Sequence, residues 1–232
     1  MNPSNRNRIK IVARALGELR GEVIFVGGSV VDLYVTNPDA SDPRSTVDVD
    51  CIVEILNRSA YYQLEDDLRR RGFVSDISDG APLCRWIVGG ERVDVMPVDP
   101  EILGFGNEWY RIGIPHSIPV NVDDDVTIRI LKTPYFLATK VAAMKSRGMS
   151  DLRLSGDFDD IVYVLRNRKT VAEEIGGAEK AVRAYLSRSV AELLSYPGID
   201  EALSAVLTVN EPLGTEEKVF SVLREIASLT RG

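Results

Sequence analysis

Two short apolar stretches, each interrupted by a particular set of polar residues, most constrain the fold of this chain. The first is VIFVGGSVVDLYV at residues 23–35, where an apolar run is followed directly by two glycines and a serine. The second is TVDVDCIVEI at residues 46–55, where two aspartates stand one residue apart inside an apolar run. The first predicts a buried strand, a tight turn and the start of a helix. The second predicts a strand over residues 47–56 with an acidic patch on one face.

The spacing of the two aspartates indicates a cation site. Asp48 and Asp50 alternate with apolar residues, so their side chains share one strand face, about 7 Å apart. Two carboxylates so placed repel each other unless a positive group lies between them, and Mg²⁺ combines a few carboxylates with substrate phosphates. Asp94 lies on a later strand, after a hairpin turn predicted at Gly89 and Gly90. Three carboxylates would complete a site for two Mg²⁺ ions, which suits in-line phosphoryl transfer.

The glycines of the first stretch predict a phosphate-binding turn. Gly27 and Gly28 leave room for a phosphate chain to approach the backbone, and the Ser29 hydroxyl and nearby N–H groups could bind its oxygens. A plain tight turn is the alternative. The stretch matches neither the P-loop pattern nor G-x-G-x-x-G.

The pattern of the chain changes near residue 130, from strands mixed with helices to helices alone. This predicts a core over residues 1–130 and a helical part over residues 131–232. In the core, a helix is predicted over residues 5–20, and Ser59 is predicted to cap the next one. In the helical part, helices are predicted from Thr133 and around Phe158, and two or three more over residues 171–230.

Composition narrows the class of protein. A net charge of -7 argues against indiscriminate nucleic-acid binding, although residues 140–190 hold ten Lys and Arg against seven Asp and Glu. No long apolar run or signal peptide is evident, so a cytoplasmic protein without a membrane span is expected. The two cysteines, Cys51 and Cys84, suit buried thiols better than zinc or a disulfide. The single histidine, His116, is predicted to lie in a loop, in a structural or surface role.

The order of these motifs resembles the nucleotidyltransferase superfamily that includes polymerase beta and the CCA-adding enzymes. The segments that carry the resemblance are VIFVGGS, TVDVDCIV and RVDVMPVD, within residues 23–99. ATKVAAMKSRG and GDFDDIVYVL further resemble two helices of AbiEii-type (MenT) nucleotidyltransferases, the toxins of type IV toxin–antitoxin pairs. That second resemblance extends to about residue 168.

The resemblance implies an α/β (α+β) fold, in which a mixed sheet flanked by helices is followed by a helical C-terminal part. It assigns Asp48 and Asp50 as metal ligands and Asp94 as the third carboxylate, which helps activate the attacking hydroxyl. The other implied site residues contact the nucleotide: Gly28 and Ser29 the phosphate, Lys140 the triphosphate, with Asp157 and Asp160 in the last motif. Two departures are the long spacing between Ser29 and Asp48, and Gly156 in place of a basic residue.

The resemblance also implies a reaction, namely Mg²⁺-dependent transfer of a nucleoside monophosphate from an NTP to a hydroxyl. The implied acceptor is RNA, such as a tRNA 3′ end, and an antitoxin protein is a possible partner. Alternatives are nucleotidylation of a protein hydroxyl and a non-catalytic nucleotide-binding or partner-binding protein. For Lys140 the alternative is a lysine at the edge of an apolar stripe. Asp157 and Asp160 could instead cap a helix or pair with Lys140 or Arg153.

Overall fold

The computed structural model describes residues 2–207 and 212–229. Backbone contacts divide the chain into two units. The first unit consists of Met1–Leu33 and Asp42–Lys132 and contains the sheet. The second consists of Tyr34–Ser41 and Thr133–Gly232, and its regular elements are helices.

The first unit contains seven strands, four α-helices and short 3₁₀ segments among the described residues. The strands are β1 (Val23–Val26), β2 (Asp48–Val53), β3 (Val74–Ser75), β4 (Arg85–Val88), β5 (Glu91–Pro97), β6 (Ser117–Asp123) and β7 (Val126–Leu131). The helices are α1 (Pro3–Leu16), α2 (Arg58–Arg70), α3 (Pro100–Leu103) and α4 (Glu108–Gly113). The 3₁₀ segments are Gly17–Gly21, Gly28–Tyr34, which runs into the second unit, and Ile114–His116.

The strands form one mixed sheet in the order β3-β4-β5-β2-β1-β7-β6. The β2/β5 and β1/β7 pairs are parallel, and the other pairs are antiparallel. β1 lies inside the sheet, and all four of its side chains are buried, as expected for an apolar run without alternation. α1 packs against the sheet. The predicted mixed sheet flanked by helices is therefore confirmed.

Local predictions hold best where the pattern of residues is strong. β1 lies over the predicted residues, and β4 and β5 form the hairpin predicted around Gly89 and Gly90. Two predictions in this unit were wrong. α1 ends at Leu16, where the chain continues as a 3₁₀ segment, because Gly17 adopts a positive φ of 56°. The cap of α2 is Asn57, whose Oδ1 accepts a hydrogen bond from the Ala60 N–H at 2.9 Å.

The second unit contains six α-helices among its described residues. They are α5 (Thr133–Ser146), α6 (Gly156–Asn167), α7 (Val171–Gly176), α8 (Lys180–Leu194), α9 (Ile199–Val206) and α10 (Thr215–Ser228). Four of them lie beyond residue 170, where two or three were predicted. α7 ends at Gly176 and α8 begins at Lys180, and α9 ends at Val206 before α10 begins at Thr215. None of the helices in residues 2–207 and 212–229 is long and apolar enough to span a membrane.

Both cysteines are free, buried thiols, as predicted. Cys51 faces Val95 in the register of β2 and β5, and the Val95 N–H donates to the Cys84 carbonyl at 2.9 Å, so the two cysteines flank one residue of β5. Burial, together with the charges of Asp50 and Asp94, raises the pKa of the Cys51 thiol well above its ordinary value. Burial and the Asp94 charge raise the pKa of Cys84 to about 12.

These thiols should resist alkylation in the folded protein. Because the reactive form is the thiolate, a buried thiol with a raised pKa reacts slowly at pH 8. We expect no measurable carbamidomethylation of Cys51 or Cys84 during an hour with iodoacetamide, and complete reaction of both after denaturation. Mass spectrometry of the peptides measures both states, and rapid labelling of the native protein would contradict the burial of the thiols.

Candidate functional site

The sheet register brings the three predicted carboxylates to one face. Asp50 in β2 and Asp94 in β5 are direct partners in the parallel ladder. Asp48 precedes Asp50 by two residues, so its side chain projects from the same face. Asp94 is buried, whereas Asp48 and Asp50 are partly exposed. The first unit thus concentrates three carboxylates in a small region of the sheet surface.

Gly27 allows one of these carboxylates to lie against the turn after β1. Val26 pairs with Asp50, so the residue after Val26 meets the Asp50 side chain. Gly27 has a φ of 73°, and a Cβ there would lie 2.9 Å from Asp50 Cβ and overlap Asp50 Oδ2. The backbone conformation and the close carboxylate both require glycine. From the sequence, this glycine was predicted to leave room for a phosphate. In the structure, the group that lies against it is the Asp50 carboxylate.

A Gly27→Ala substitution should therefore displace Asp50 as well as strain the turn. An alanine with φ near 70° costs about 1–3 kcal/mol, and the overlap with Asp50 adds to that cost. We expect lower thermal stability, measured by circular dichroism, and loss of whatever activity depends on Asp50. Gly72→Ala is the matched control, since its φ is 86° and a Cβ there would meet nothing within 4 Å. Equal stability losses in the two variants would show that backbone strain alone constrains Gly27.

The turn continues into a 3₁₀ segment, at the position where the start of a helix was predicted. Gly28 is its first residue and Ser29 its second. The Ser29 side chain is buried at 1% exposure, and its Oγ has no hydrogen-bond partner among the described residues. A buried hydroxyl without a partner is uncommon in folded proteins, because leaving it unsatisfied costs free energy. The predicted phosphate contacts of Gly28 and Ser29 stay predictions.

Arg85 also belongs to this site, although it was not predicted from the sequence. Its Nε donates to Asp94 Oδ1 at 2.8 Å and its Nη2 to Asp94 Oδ2 at 2.7 Å, which makes a bidentate pair. Nη2 also donates to Asp48 Oδ2 at 2.9 Å. The pKa of Arg85 is raised, chiefly by the hydrogen bond with Asp94 and further by the charges of Asp94 and Asp48. Burial acts in the opposite direction and lowers this pKa. Two of the three carboxylates therefore already share a positive partner.

The donor chemistry of the three carboxylates fits Mg²⁺, which prefers hard oxygen ligands. With Arg85 bound to them, however, the carboxylates are not arranged to coordinate a metal ion. Within residues 2–207 and 212–229, no group of three His, Cys, Asp or Glu side chains is placed so that it could hold a metal ion. A guanidinium lies where the sequence predicted a divalent cation.

The remaining predicted residues form a separate cluster in the second unit. Lys140 in α5 donates from Nζ to Asp160 Oδ2 at 2.6 Å and to Asp157 Oδ1 at 3.3 Å, both in α6. All three residues are buried. Lys140 therefore does not lie at the exposed edge of an apolar stripe, and the two aspartates adopt the predicted alternative of pairing with it.

Arginines near this cluster make different pairs. Arg147 forms an ion pair with Asp157. This carboxylate therefore has a cationic partner, although Gly156 stands where the resemblance to AbiEii-type proteins implies a basic residue. The other predicted partner, Arg153, pairs with Asp151 instead. The predicted contact of Lys140 with a triphosphate stays a prediction.

Comparisons with known proteins identify the fold. The sequence matches no family model and no curated protein. A candidate nucleotidyltransferase from H. pylori has a similar structure, with a TM-score of 0.50 and 9% identity over 100% of this chain and 96% of its own. An antigenic nucleotidyltransferase-like protein from Paracoccidioides brasiliensis gives a TM-score of 0.48 and 16% identity over 88% of this chain and 94% of its own. The likeness to the H. pylori protein shows a nucleotidyltransferase-like fold for this chain, and function at such low identity has to be argued from the site.

Proposed function

We propose that this protein is a nucleotidyltransferase that moves a nucleoside monophosphate from an NTP to a hydroxyl acceptor and releases pyrophosphate. The observation that supports this most strongly is the convergence of Asp48, Asp50 and Asp94 on one sheet face, beside the turn at Gly27. Arg85 pairs with two of these three carboxylates, Asp48 and Asp94. Three carboxylates on one face suit chemistry in which positive charge gathers around a triphosphate.

The proposal gives each of these residues a role. Asp94 accepts the proton of the attacking hydroxyl, which requires that Arg85 no longer occupies both of its oxygens. Asp48 and Asp50 would hold the proposed cofactor, two Mg²⁺ ions, which would neutralise charge on the triphosphate. The backbone after β1, at Gly27 and Gly28, lies against the phosphates with the Ser29 hydroxyl.

The proposed acceptor is RNA, such as a tRNA 3′ end, as the resemblance to AbiEii-type toxins implies. The excess of Lys and Arg over Asp and Glu in residues 140–190 supports a polyanionic acceptor. An antitoxin protein is the corresponding proposed partner.

One observation favours a second candidate function. Arg85 already neutralises part of the acidic site, as expected for a protein that keeps the fold but binds a nucleotide or a partner without turnover. The transferase is preferred because Asp50 adds a third carboxylate to this face, where it lies against the turn at Gly27.

Incubation with labelled nucleotides separates the candidates. The purified protein is supplied with each of the four α-labelled NTPs, Mg²⁺, total RNA and cell lysate, and RNA and protein fractions are separated by gel. Label in RNA is the expected result. Label in protein would identify a protein hydroxyl as the acceptor. Nucleotide binding without label transfer to either fraction would overturn the transferase in favour of the non-catalytic candidate.

A further inference from the structure

Residues 42–47 bring the chain back from the second unit to β2, and they form no regular strand or helix. They make up the last part of the long spacing between Ser29 and Asp48. The ladder between β1 and β2 ends at the pair of Val26 and Asp50, so it does not extend to Asp48. The position of Asp48 therefore depends on its pairing with β5 and on the contacts that hold the residues directly before it.

Side chains at the start of α1 hold this segment. Asn2, Asn5 and Arg8 follow one another at intervals of three residues, so neighbouring members lie close together on the helix surface. Asn2 Nδ2 donates to the Pro43 carbonyl at 3.1 Å, and Asn5 Nδ2 donates to the Arg44 carbonyl at 3.3 Å. Backbone carbonyls of this irregular segment are thus bound by side chains of the helix rather than by a strand.

Both backbone polar groups of Thr46 are bound by side chains of α1. Its N–H donates to Asn5 Oδ1 at 3.1 Å, and its carbonyl accepts a hydrogen bond from Arg8 Nη1. Arg8 Nε also donates to Glu91 Oε2 at 2.9 Å, so one guanidinium joins the residues before β2 to the first residue of β5. Thr46 Oγ1 lies 3.1 Å from the Asp48 carbonyl, to which it can donate. These contacts fix the backbone two residues before Asp48.

Asn5 is a fully buried amide in an otherwise apolar row. It is 0% exposed and continues the stripe of Ile9 and Val12 along α1. Burying an amide costs free energy unless it is hydrogen-bonded, and both polar atoms of Asn5 bind the segment before β2, at Thr46 and Arg44. An apolar side chain would serve packing alone at this position. The amide therefore adds the attachment of that segment.

We propose that Asn5 is a positioning residue, which sets the place of the Asp48 carboxylate on the sheet face by fixing Thr46. This inference rests on the proposed function, because Asp48 is assigned to that reaction. Asn5 touches neither the nucleotide nor the acceptor, and it acts through the backbone that leads to Asp48. Misplacing a reacting group by about 1 Å costs on the order of a hundredfold in rate, so a small displacement of Asp48 is enough to slow transfer.

Asn5→Leu tests this inference, with Ile9→Val as the matched control. Leucine continues the apolar stripe but accepts no hydrogen bond from Thr46, whereas Ile9→Val removes a buried carbon from the next turn of α1 and leaves the hydrogen bonds of Thr46 in place. Hydrogen–deuterium exchange followed by NMR reports on the Thr46 amide, and label transfer from an NTP gives kcat and KM.

The inference predicts a specific set of changes in Asn5→Leu. We expect exchange of the Thr46 amide to become faster by about tenfold or more, because the amide loses its acceptor. We expect kcat to fall by about ten- to hundredfold while KM for the NTP changes less than about threefold. Ile9→Val should lower the melting temperature by a few degrees and change kcat less than about twofold.

The outcomes separate this inference from the proposed function. Unchanged exchange of the Thr46 amide in Asn5→Leu, a loss of kcat no greater than in Ile9→Val, or a change in KM alone would overturn the inference while the transferase stands. If the wild type transfers no label, the proposed function fails and this inference fails with it. Asn5→Ala, which loses the same hydrogen bonds, replaces Asn5→Leu if that variant does not fold.

Discussion

Replacing Asp48 and Asp50 together by asparagine should reduce nucleotide transfer by about a thousandfold or more, the upper range for losing one preorganised electrostatic group. The substitution removes two negative charges from the face that the proposal assigns to the cofactor, and it keeps the shape of both side chains. The replaced side chain at position 50 would still fit against Gly27, because asparagine and aspartate have nearly the same size. The loss is measured as the rate of label transfer from the preferred NTP at saturating Mg²⁺.

The fold of this double variant should be intact. Asparagine keeps the size of both side chains, and Arg85 keeps its bidentate contact with Asp94. We expect the melting temperature to change by no more than a few degrees, as for a change of about 1 kcal/mol or less. Asp66→Asn with Asp67→Asn is the matched control, because it removes the same charge from α2, where these residues pair with Arg69 and Arg70. Transfer at the wild-type rate by the Asp48 and Asp50 variant would refute the assignment of the site.

The parts of the site that could be predicted are those set by strand periodicity. Alternation in TVDVDCIV places Asp48 and Asp50 on one face whatever the rest of the chain does. The apolar run VIFV has the length and composition of an interior strand, and its glycines identify the turn. The fold class follows from these local signals and the resemblance to nucleotidyltransferases.

The parts of the site that were missed depend on how the strands pair. Arg85 could have been found by counting back from Gly89 and Gly90, because a two-residue turn fixes the register and places Arg85 opposite Asp94. Its second contact, with Asp48, depends on β2 and β5 being neighbours in the sheet. Likewise, the contact between Gly27 and Asp50 follows from the pairing of β1 with β2. No local pattern contains that information.

The hairpin of β6 and β7 was not anticipated for a different reason. β6 is an edge strand that contains Pro119 and several exposed residues, so its alternation is weak. β7 has a clear alternation, VTIRIL, but it lies directly before the change to helices near residue 130.

In the second unit, replacing Lys140 by methionine should destabilise the protein by about 3–5 kcal/mol, the usual cost of leaving a buried charge without its partner. Lys140 Nζ is the group that the structure places between Asp157 and Asp160, which are both buried. Because methionine fills a similar volume, the substitution leaves no cavity. The loss of stability is therefore electrostatic. Urea denaturation followed by circular dichroism at 222 nm measures the free energy of unfolding.

Two further variants identify the origin of this loss. Lys145→Met is the matched control, since Lys145 lies in the same helix and pairs with Glu192 at the surface; its cost should be below about 1 kcal/mol. Adding Asp160→Leu to Lys140→Met should recover part of the stability, because it removes a buried carboxylate that Lys140 no longer neutralises. If Lys140→Met costs no more than Lys145→Met, Lys140 is not held by a buried ion pair. Its side chain would then be free for the triphosphate contact that the resemblance implies.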